Sequence, residues 1–355
     1  GDLSLRATHL FDDLTIADST HQSSPYPVLW FVSSGGDLLA CTYIPEEDIT
    51  AWHSHGSDGA FYESVCSIPE GELDSLYVVV RRTVGTQTYR RIERMVPSAN
   101  SSILTSILSD SSGSYFGDSI EETNGAQLTL SGGRTWLAGD IVRVVSHVEL
   151  FGAADLGKYI KLVSGTSTYE MKIVTVVDGT KADVSLVDEL PIAMRYTPIT
   201  TWQMGILGLV VGDPHNDGST VQVVLNGTHV DDMTVTDGAL IFANPAYTVV
   251  YGLPYVSDIK TLPQSFPQAE ASGQGISKAV SDVWLRVMDT AGLSIGPDED
   301  NLVPVSDLTK SSLKSGEVET SVPSEYTQSG QIMVRQSSPL PATILNITVE
   351  TAAGD

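Results

Sequence analysis

A chain of 355 residues has room for roughly two to four domains, and 41% apolar against 18% charged side chains excludes a disordered chain. Nineteen basic residues against 44 acidic ones give a formal charge of −25, which excludes a protein that grips nucleic acid by neutralising phosphates. No apolar run approaches the ~20 residues of a bilayer-spanning helix, so no membrane insertion is expected.

The start, Gly1-Asp2-Leu3-Ser4, carries no initiator Met, basic segment or apolar segment and reads as a cleaved or truncated product. Short apolar runs rich in Val, Ile, Thr and Tyr then recur between Gly, Asp, Asn, Ser and Pro clusters, the texture of an all-β chain. Between 27 and 95 two related units are read. Trp30 and Tyr77 lie in equivalent apolar strands, each followed by a Gly-containing turn. Three or four strands per unit, repeating every ~40–50 residues, fit propeller-like blades, and a plain β-meander fits the same pattern. Cys41 in the first unit and Cys66 in the second are the chain's two cysteines, too sparse for a disulfide framework, and read as buried free thiols. A helix is predicted only at 99–108, with Ser98 as N-cap and Ile103, Leu104, Ile107 and Leu108 on one face.

From 111 the composition shifts toward Gly, Ser and Thr, and five short strands up to 186 predict a small inserted β-barrel. Alternating strands follow at 220–224, 233–235, 239–242 and 248–250, with Asn226-Gly227 marking a type I′ turn. Past Pro263 a Gly/Ser/Pro linker leads to strands at 279–287, 331–335 and 342–349, read as an antiparallel sandwich. The expected architecture is therefore all-β and multi-domain: blades and connector over 1–110, an inserted small β-barrel over 111–198, a β-region returning to the main frame over 199–265, and a C-terminal β-sandwich over 266–355.

Candidate chemistry is sparse. His53-Ser54-His55 puts two imidazoles on one strand face, but a third metal ligand has to be recruited from Glu63 on the next strand. Asp213-Pro214-His215-Asn216-Asp217-Gly218 opens like a calcium loop, yet position twelve is Val224, so an Asx-stabilised turn is expected. Asp298-Glu299-Asp300-Asn301 reads as a solvated acidic loop. The densest basic cluster is Arg81, Arg82, Arg90, Arg91 and Arg94, following a stretch of 80 residues with 13 acids and one base. It fits an ion-pair set within the unit, a contact to an acidic neighbouring subunit, or a ring touching DNA; subunit contact is favoured, because a chain of charge −25 needs local complementarity to pack against its own copies. No Gly-x-Ser-x-Gly elbow, phosphate-cradling loop or helix-terminal Cys is present, so no catalytic residue, cofactor or metal is expected.

Five ordered blocks resemble the phage tail nozzle (tail tubular B type) family, in the C-terminal portion of the family chain. They are Pro27-x-Leu29-Trp30 with Leu38-Leu39-x-x-Thr42-Tyr43 and Ala51-Trp52-His53-x-His55; Gly59-x-Phe61-x-Glu63-Ser64-Val65 with Val79-Val80-Arg81-Arg82 and Tyr89-Arg90-x-Ile92-Glu93-Arg94-Met95; Trp202 through Leu209–His215 and Val223-x-x-Asn226-Gly227; Asp237-Gly238-x-Leu240 with Val250–Tyr255 and Thr261-Leu262-Pro263; and Arg335–Pro341 with Ile344-Leu345-x-Ile347. The resemblance implies a structural virion protein, not an enzyme. It implies a homohexameric ring at the end of a short tail, assembled in the host cytoplasm below adaptor and portal proteins. DNA passes through the lumen without specific binding, and acidic walls suit such sliding, although plain solubility accounts for the same charge. A separate N-terminal segment would complete the propeller. The alternative from another class is a receptor- or carbohydrate-binding tail spike, which would present exposed aromatic platforms; Trp30, Trp52, Trp202 and Trp284 lie instead in strand-like runs that predict core positions.

Overall fold

The computed structural model describes residues 3–5, 7–96, 102–123, 125–212, 215, 217–265, 276–323 and 325–353. Among them the only helical geometry is four 3-10 turns, Thr8–Leu10, Pro45–Glu47, Ala153–Asp155 and Ile192–Met194, so the chain is all-β. No described helix is long and apolar enough to cross a membrane.

The first unit begins with an antiparallel meander of β1 (Ile16–Gln22), β2 (Val28–Ser33), β3 (Leu38–Ile44) and β4 (Ile49–His55). A second meander follows: β5 (Ala60–Glu70), β6 (Leu73–Val84) and β7 (Gln87–Arg94). Period-two alternation supplies each sheet with one apolar face. Trp30, Val32, Leu38 and Ala40 from the first meet Tyr62, Leu76, Val78 and Val80 from the second in one core. Edge strands β1 and β5 are tied by side chains where a backbone ladder would run: Val65 N–H donates to Asp18 (3.0 Å) and Ser67 N–H to the Thr20 hydroxyl (3.2 Å). Two blade-sized meanders packed face to face are common to adjacent propeller blades and to a two-layer sandwich. Cys41 is buried as expected, whereas Cys66 is exposed, because the register shift between Tyr62 and Ser64 of β5 turns Val65 toward this core and Cys66 away from it.

The predicted helix at 99–108 does not form over its described part. Residues 98–101 lie outside the described residues, and 103–105 make a turn in which both Ser106 N–H (3.0 Å) and Ser106 Oγ–H (2.5 Å) donate to the Ser102 carbonyl. Serine hydroxyls compete with the helix for backbone groups. Ile103 and Ile107 still find apolar cover, against Val224, Val250 and Leu340.

The chain then enters β8 (Asp110–Phe116), β9 (Leu128–Ser131), β10 (Ile141–Ser146), β11 (Tyr159–Ser164), β12 (Ser167–Asp178), β13 (Lys181–Leu186) and β14 (Trp202–Val210). Next come β15 (Thr220–Leu225), β16 (Thr228–His229), β17 (Met233–Thr234), β18 (Ala239–Ala246) and β19 (Thr248–Leu253). The expected inserted barrel is instead an open sheet in the order β18-β14-β11-β12-β13-β10-β9. Its two flanks meet only through isolated pairings, Leu128 with Ile199 and Leu130 with Arg195. The segment that would have closed the ladder contains Pro191, Pro198 and a 3-10 turn, and proline supplies no N–H to a ladder. Side chains cover the gap: the buried Trp202 indole donates to the Ala126 carbonyl at 2.8 Å. β14 is shared, its first half pairing with β11 and its second with β18.

A further sheet runs β16-β15-β19-β8 with β17 on β15. Asn226 and Gly227 both take positive φ (50° and 79°) in the two-residue turn joining β15 to β16, the backbone a type I′ turn demands. The C-terminal part comprises β20 (Ser257–Lys260), β21 (Lys278–Thr290), β22 (Leu293–Gly296), β23 (Val303–Pro304), β24 (Lys314–Ser321), β25 (Met333–Gln336) and β26 (Ile344–Ala353). Sheets β20-β25-β22-β23 and β24-β21-β26 enclose one core that includes Val283, Leu285, Ile295, Val318 and Val334, the expected sandwich. β20 already belongs to it, ahead of the boundary read at 266.

Candidate functional site

A cavity of about 270 Å3 lies between the first two sheets. Alternation along β4 places His53 and His55 on one face, and the register sets them opposite Ala40 and Leu38 of β3, hence toward the shared core. His53 Nδ1 lies 2.7 Å from His55 Nε2, and His53 Nε2 lies 3.2 Å from the Thr42 hydroxyl. The Trp30 ring packs 4.8 Å from the His55 ring and edge-on to His53 at 6.2 Å. The Trp30 indole donates to Gln22 Oε1 (2.9 Å), and Gln22 Nε2 donates to the Asp74 carbonyl (2.9 Å). Pro25, Tyr26, Leu76 and Met95 complete the lining.

A 2.7 Å contact between two imidazoles holds one proton, not two, so the two rings are not both protonated while it lasts. Burial first, and the neighbouring His53 second, push His55 down to about 4; burial also lowers His53. Thr42, His53 and His55 superficially line up as nucleophile, base and orienter. Thr42, however, is inside β3, laddered to β2 on one side and β4 on the other, so the surrounding backbone donors are already committed and offer no oxyanion site. An imidazole whose protonation is disfavoured by burial is also a poor base near neutrality. The third metal ligand considered in the sequence, Glu63, instead holds Arg90, and no group of three or more His, Cys, Asp or Glu is placed for a metal among the described residues.

Alternation splits the five arginines. Arg82 and Arg91 share the inner face of the second meander with Val80; Arg81, Arg90 and Arg94 take the outer face. Arg82, only 2% exposed, donates to both Glu93 oxygens (2.8 and 2.7 Å) and to Ser57 Oγ (2.7 Å), and lies 3.3 Å from Asp110. Burial opposes its charge, but hydrogen bonds to Glu93 and the Asp110 and Glu93 charges outweigh it, and the guanidinium stays firmly protonated. Arg91 stacks 5.4 Å from the Tyr89 ring. On the outer face Arg90 pairs with Glu63 at 2.8 Å while Arg81 reaches the same carboxylate at 4.0 Å and covers the Phe61 ring; Arg94 pairs with Glu70 at 2.7 Å. Arg82 is thereby withdrawn from any contact with another chain, and the five do not form one patch.

Of the calcium-like stretch, Asp213, Pro214 and Asn216 lie outside the described residues. His215 is buried, its Nε2 2.7 Å from the Ser111 carbonyl, and Asp217 accepts the Gly238 N–H at 2.6 Å. Asp298 accepts from the Asp300 N–H (3.0 Å) and Asn301 Nδ2 (2.8 Å), an Asx turn on the surface. Trp284 departs from expectation. It stands on the outer, part-exposed face of β21, opposite exposed Glu319 of β24 and exposed Thr348 of β26. Odd–even position along the 279–287 run carries this signal, since Val283 and Leu285 are the buried neighbours.

Neither the protein-family models nor the curated proteins contain a match to this chain.

Proposed function

We propose that this chain is a structural subunit of a phage tail, forming with its own copies a nozzle ring that lines the DNA exit channel and takes part in DNA ejection. The observation that supports this reading most is the order of the nozzle-like blocks together with the elements they occupy. The first block supplies β2, β3 and β4, the second supplies most of β5 to β7, and the last supplies the end of β25 and the start of β26. The role is geometric rather than catalytic: the ring sets the bore, and acidic walls keep phosphates from sticking. On this reading the chain is assembled in the host cytoplasm, joins adaptor and portal-proximal proteins, and resides in the virion tail. A separate N-terminal segment adds the remaining blades.

A cryo-electron microscopy reconstruction of the source particle tests it. The expected result is a sixfold ring around the tail axis that accepts these sheets with acidic faces toward the lumen. Peripheral trimeric density holding the chain would overturn the reading in favour of a receptor- or carbohydrate-binding appendage. The part-exposed Trp284 and the exposed Tyr26, Tyr196 and Tyr326 are the features that favour that second reading among the described residues, and a glycan-binding screen addresses it directly.

A further inference from the structure

Four of the five tryptophans have their indole N–H engaged: Trp30 by Gln22, Trp52 by the Leu3 carbonyl, Trp136 by the Gly132 carbonyl and Trp202 by the Ala126 carbonyl. Trp284 has no such bond among the described residues and lies part-exposed at the middle of a sheet face. Asp282, Glu317, Glu319 and Glu350 flank it on that face, against one guanidinium, Arg286. An apolar centre within a ring of acids is an unusual use of a tryptophan that no core demands.

A face of opposite character exists on the same chain. On the outer side of β5–β7, Ile92 is 76% exposed, between Arg90 and Arg94 on its own strand. Arg81 and Arg90 share the single carboxylate of Glu63, which leaves one positive charge uncompensated. Copies of a chain with charge −25 repel one another on average, so a contact between copies needs a locally basic surface against an acidic one. Interfaces of this kind carry an apolar centre with a charged rim.

We propose that these two faces dock on each other between copies of this chain, Ile92 and Arg81/Arg90 of one copy covering Trp284 and Glu317/Glu319 of the next. Guanidinium over the indole adds a cation–π attraction. Two different faces make the contact head-to-tail, the type that generates closed rings or open filaments rather than two-fold dimers. The proposal rests on the self-assembly part of the nozzle reading and names the surfaces that carry it.

Sedimentation velocity on the full chain tests it with two charge-reversed variants, Glu317→Arg with Glu319→Arg, and Arg81→Glu with Arg90→Glu. Circular dichroism and thermal melting of each variant confirm that the fold is retained. The wild type is expected to self-associate more weakly as salt rises, and each variant alone to lose at least about tenfold in affinity. Mixing the two variants restores association, because reversed faces then meet across unlike chains. A wild type that stays monomeric, variants that associate like the wild type, or a mixture that stays dissociated would each overturn the proposal. Glycan binding lost in Trp284→Ala, with association unchanged, would assign the face to a carbohydrate instead. Failure of the nozzle reading is separate: it appears in the tail reconstruction as copies that associate through these faces but do not surround the axis.

Discussion

Arg82 of β6 reaches diagonally along the inner face of the β6–β7 ladder to Glu93, joined to it by hydrogen bonds of 2.8 and 2.7 Å, with the guanidinium 3.3 Å from Asp110 at the start of β8. Ser111 closes the set by donating to Glu93 at 2.8 Å. One side chain thus ties the first unit to the strand that begins the rest of the molecule. Removing it strands two partly buried carboxylates beside each other, which costs more than the pair itself contributes. Arg82→Met is expected to lower stability by about 3 kcal/mol in urea unfolding. Arg82→Met combined with Glu93→Gln should recover part of that loss, because one stranded charge is gone. A single substitution within about 0.5 kcal/mol of wild type would show that the cluster is not a structural tie.

The imidazole pair predicts a pH dependence with a definite sign. His55 titrates at about 4 in the folded chain against an ordinary 6.5, and His53 is shifted in the same direction. Above 6.5 both rings are neutral in folded and unfolded states, and the pair imposes no penalty. As pH falls from 6.5 toward 4, the unfolded chain binds protons that the folded chain resists, so stability declines through that window. His55→Gln keeps a polar side chain and removes the titration. The difference in unfolding free energy between wild type and His55→Gln should narrow by on the order of 2 kcal/mol across the window. Asp74, the carboxylate that lines the same cavity, is common to both proteins and drops out of the difference. Parallel pH profiles would remove the pair as a source of acid sensitivity.

How far the sequence carries depends on whether a feature is local. Strands β2, β3, β6 and β15 are legible because apolar alternation and Gly or Asn-Gly turns are short-range signals, and Asn226-Gly227 folds as its backbone chemistry dictates. The helix at 99–108 is misread because its apolar spacing is helical while its serines favour a turn. The barrel is misread because strand count does not reveal that Pro191 and Pro198 interrupt the closing segment. At the cavity, His-x-His shows two imidazoles on one face, but Thr42, Trp30 and Gln22 join them only once β1 to β4 are in register. The arginine cluster is visible as charge; its division into a buried clamp and an outer face needs the parity of β6 and β7. Trp284 is hidden for the same reason, since a run of apolar residues does not announce which of its members turns outward.

Gly117 marks where β8 passes the seven-stranded sheet. Its N–H donates to the Tyr247 carbonyl at 2.9 Å, and a Cβ added there would overlap the Met204 carbonyl of β14. Met204 is backbone within the paired strand β14 and Tyr247 is backbone at the junction of β18 and β19, so neither can turn aside as a flexible side chain would. Gly117→Ala is therefore expected to destabilise by about 2–3 kcal/mol despite adding a single methyl group, since overpacking against fixed backbone costs this much. Gly125→Ala supplies the control for glycine replacement, because no atom lies within 4 Å of its Cβ position and only its φ of 80° is strained. A Gly117→Ala loss no larger than the control's would mean that β8 and β14 can separate without cost.

Asn226 serves the type I′ turn in two distinguishable ways. Its φ of 50° favours Asn or Gly over other residues. Its side chain also accepts from the Tyr247 N–H (2.8 Å) and Thr248 N–H (3.2 Å) and donates to the Pro245 carbonyl (3.2 Å), pinning the turn to the start of β19. Asn226→Gly keeps the backbone freedom and removes the three bonds; Asn226→Ala removes both. Stability losses of about 1–2 kcal/mol for glycine and roughly 1 kcal/mol more for alanine are expected from thermal unfolding. Amide exchange at Tyr247 and Thr248 should rise in both variants, because both lose the same acceptor. Equal losses for the two substitutions would leave the side-chain bonds as the whole effect, and protection unchanged at those amides would leave the backbone conformation as the whole effect.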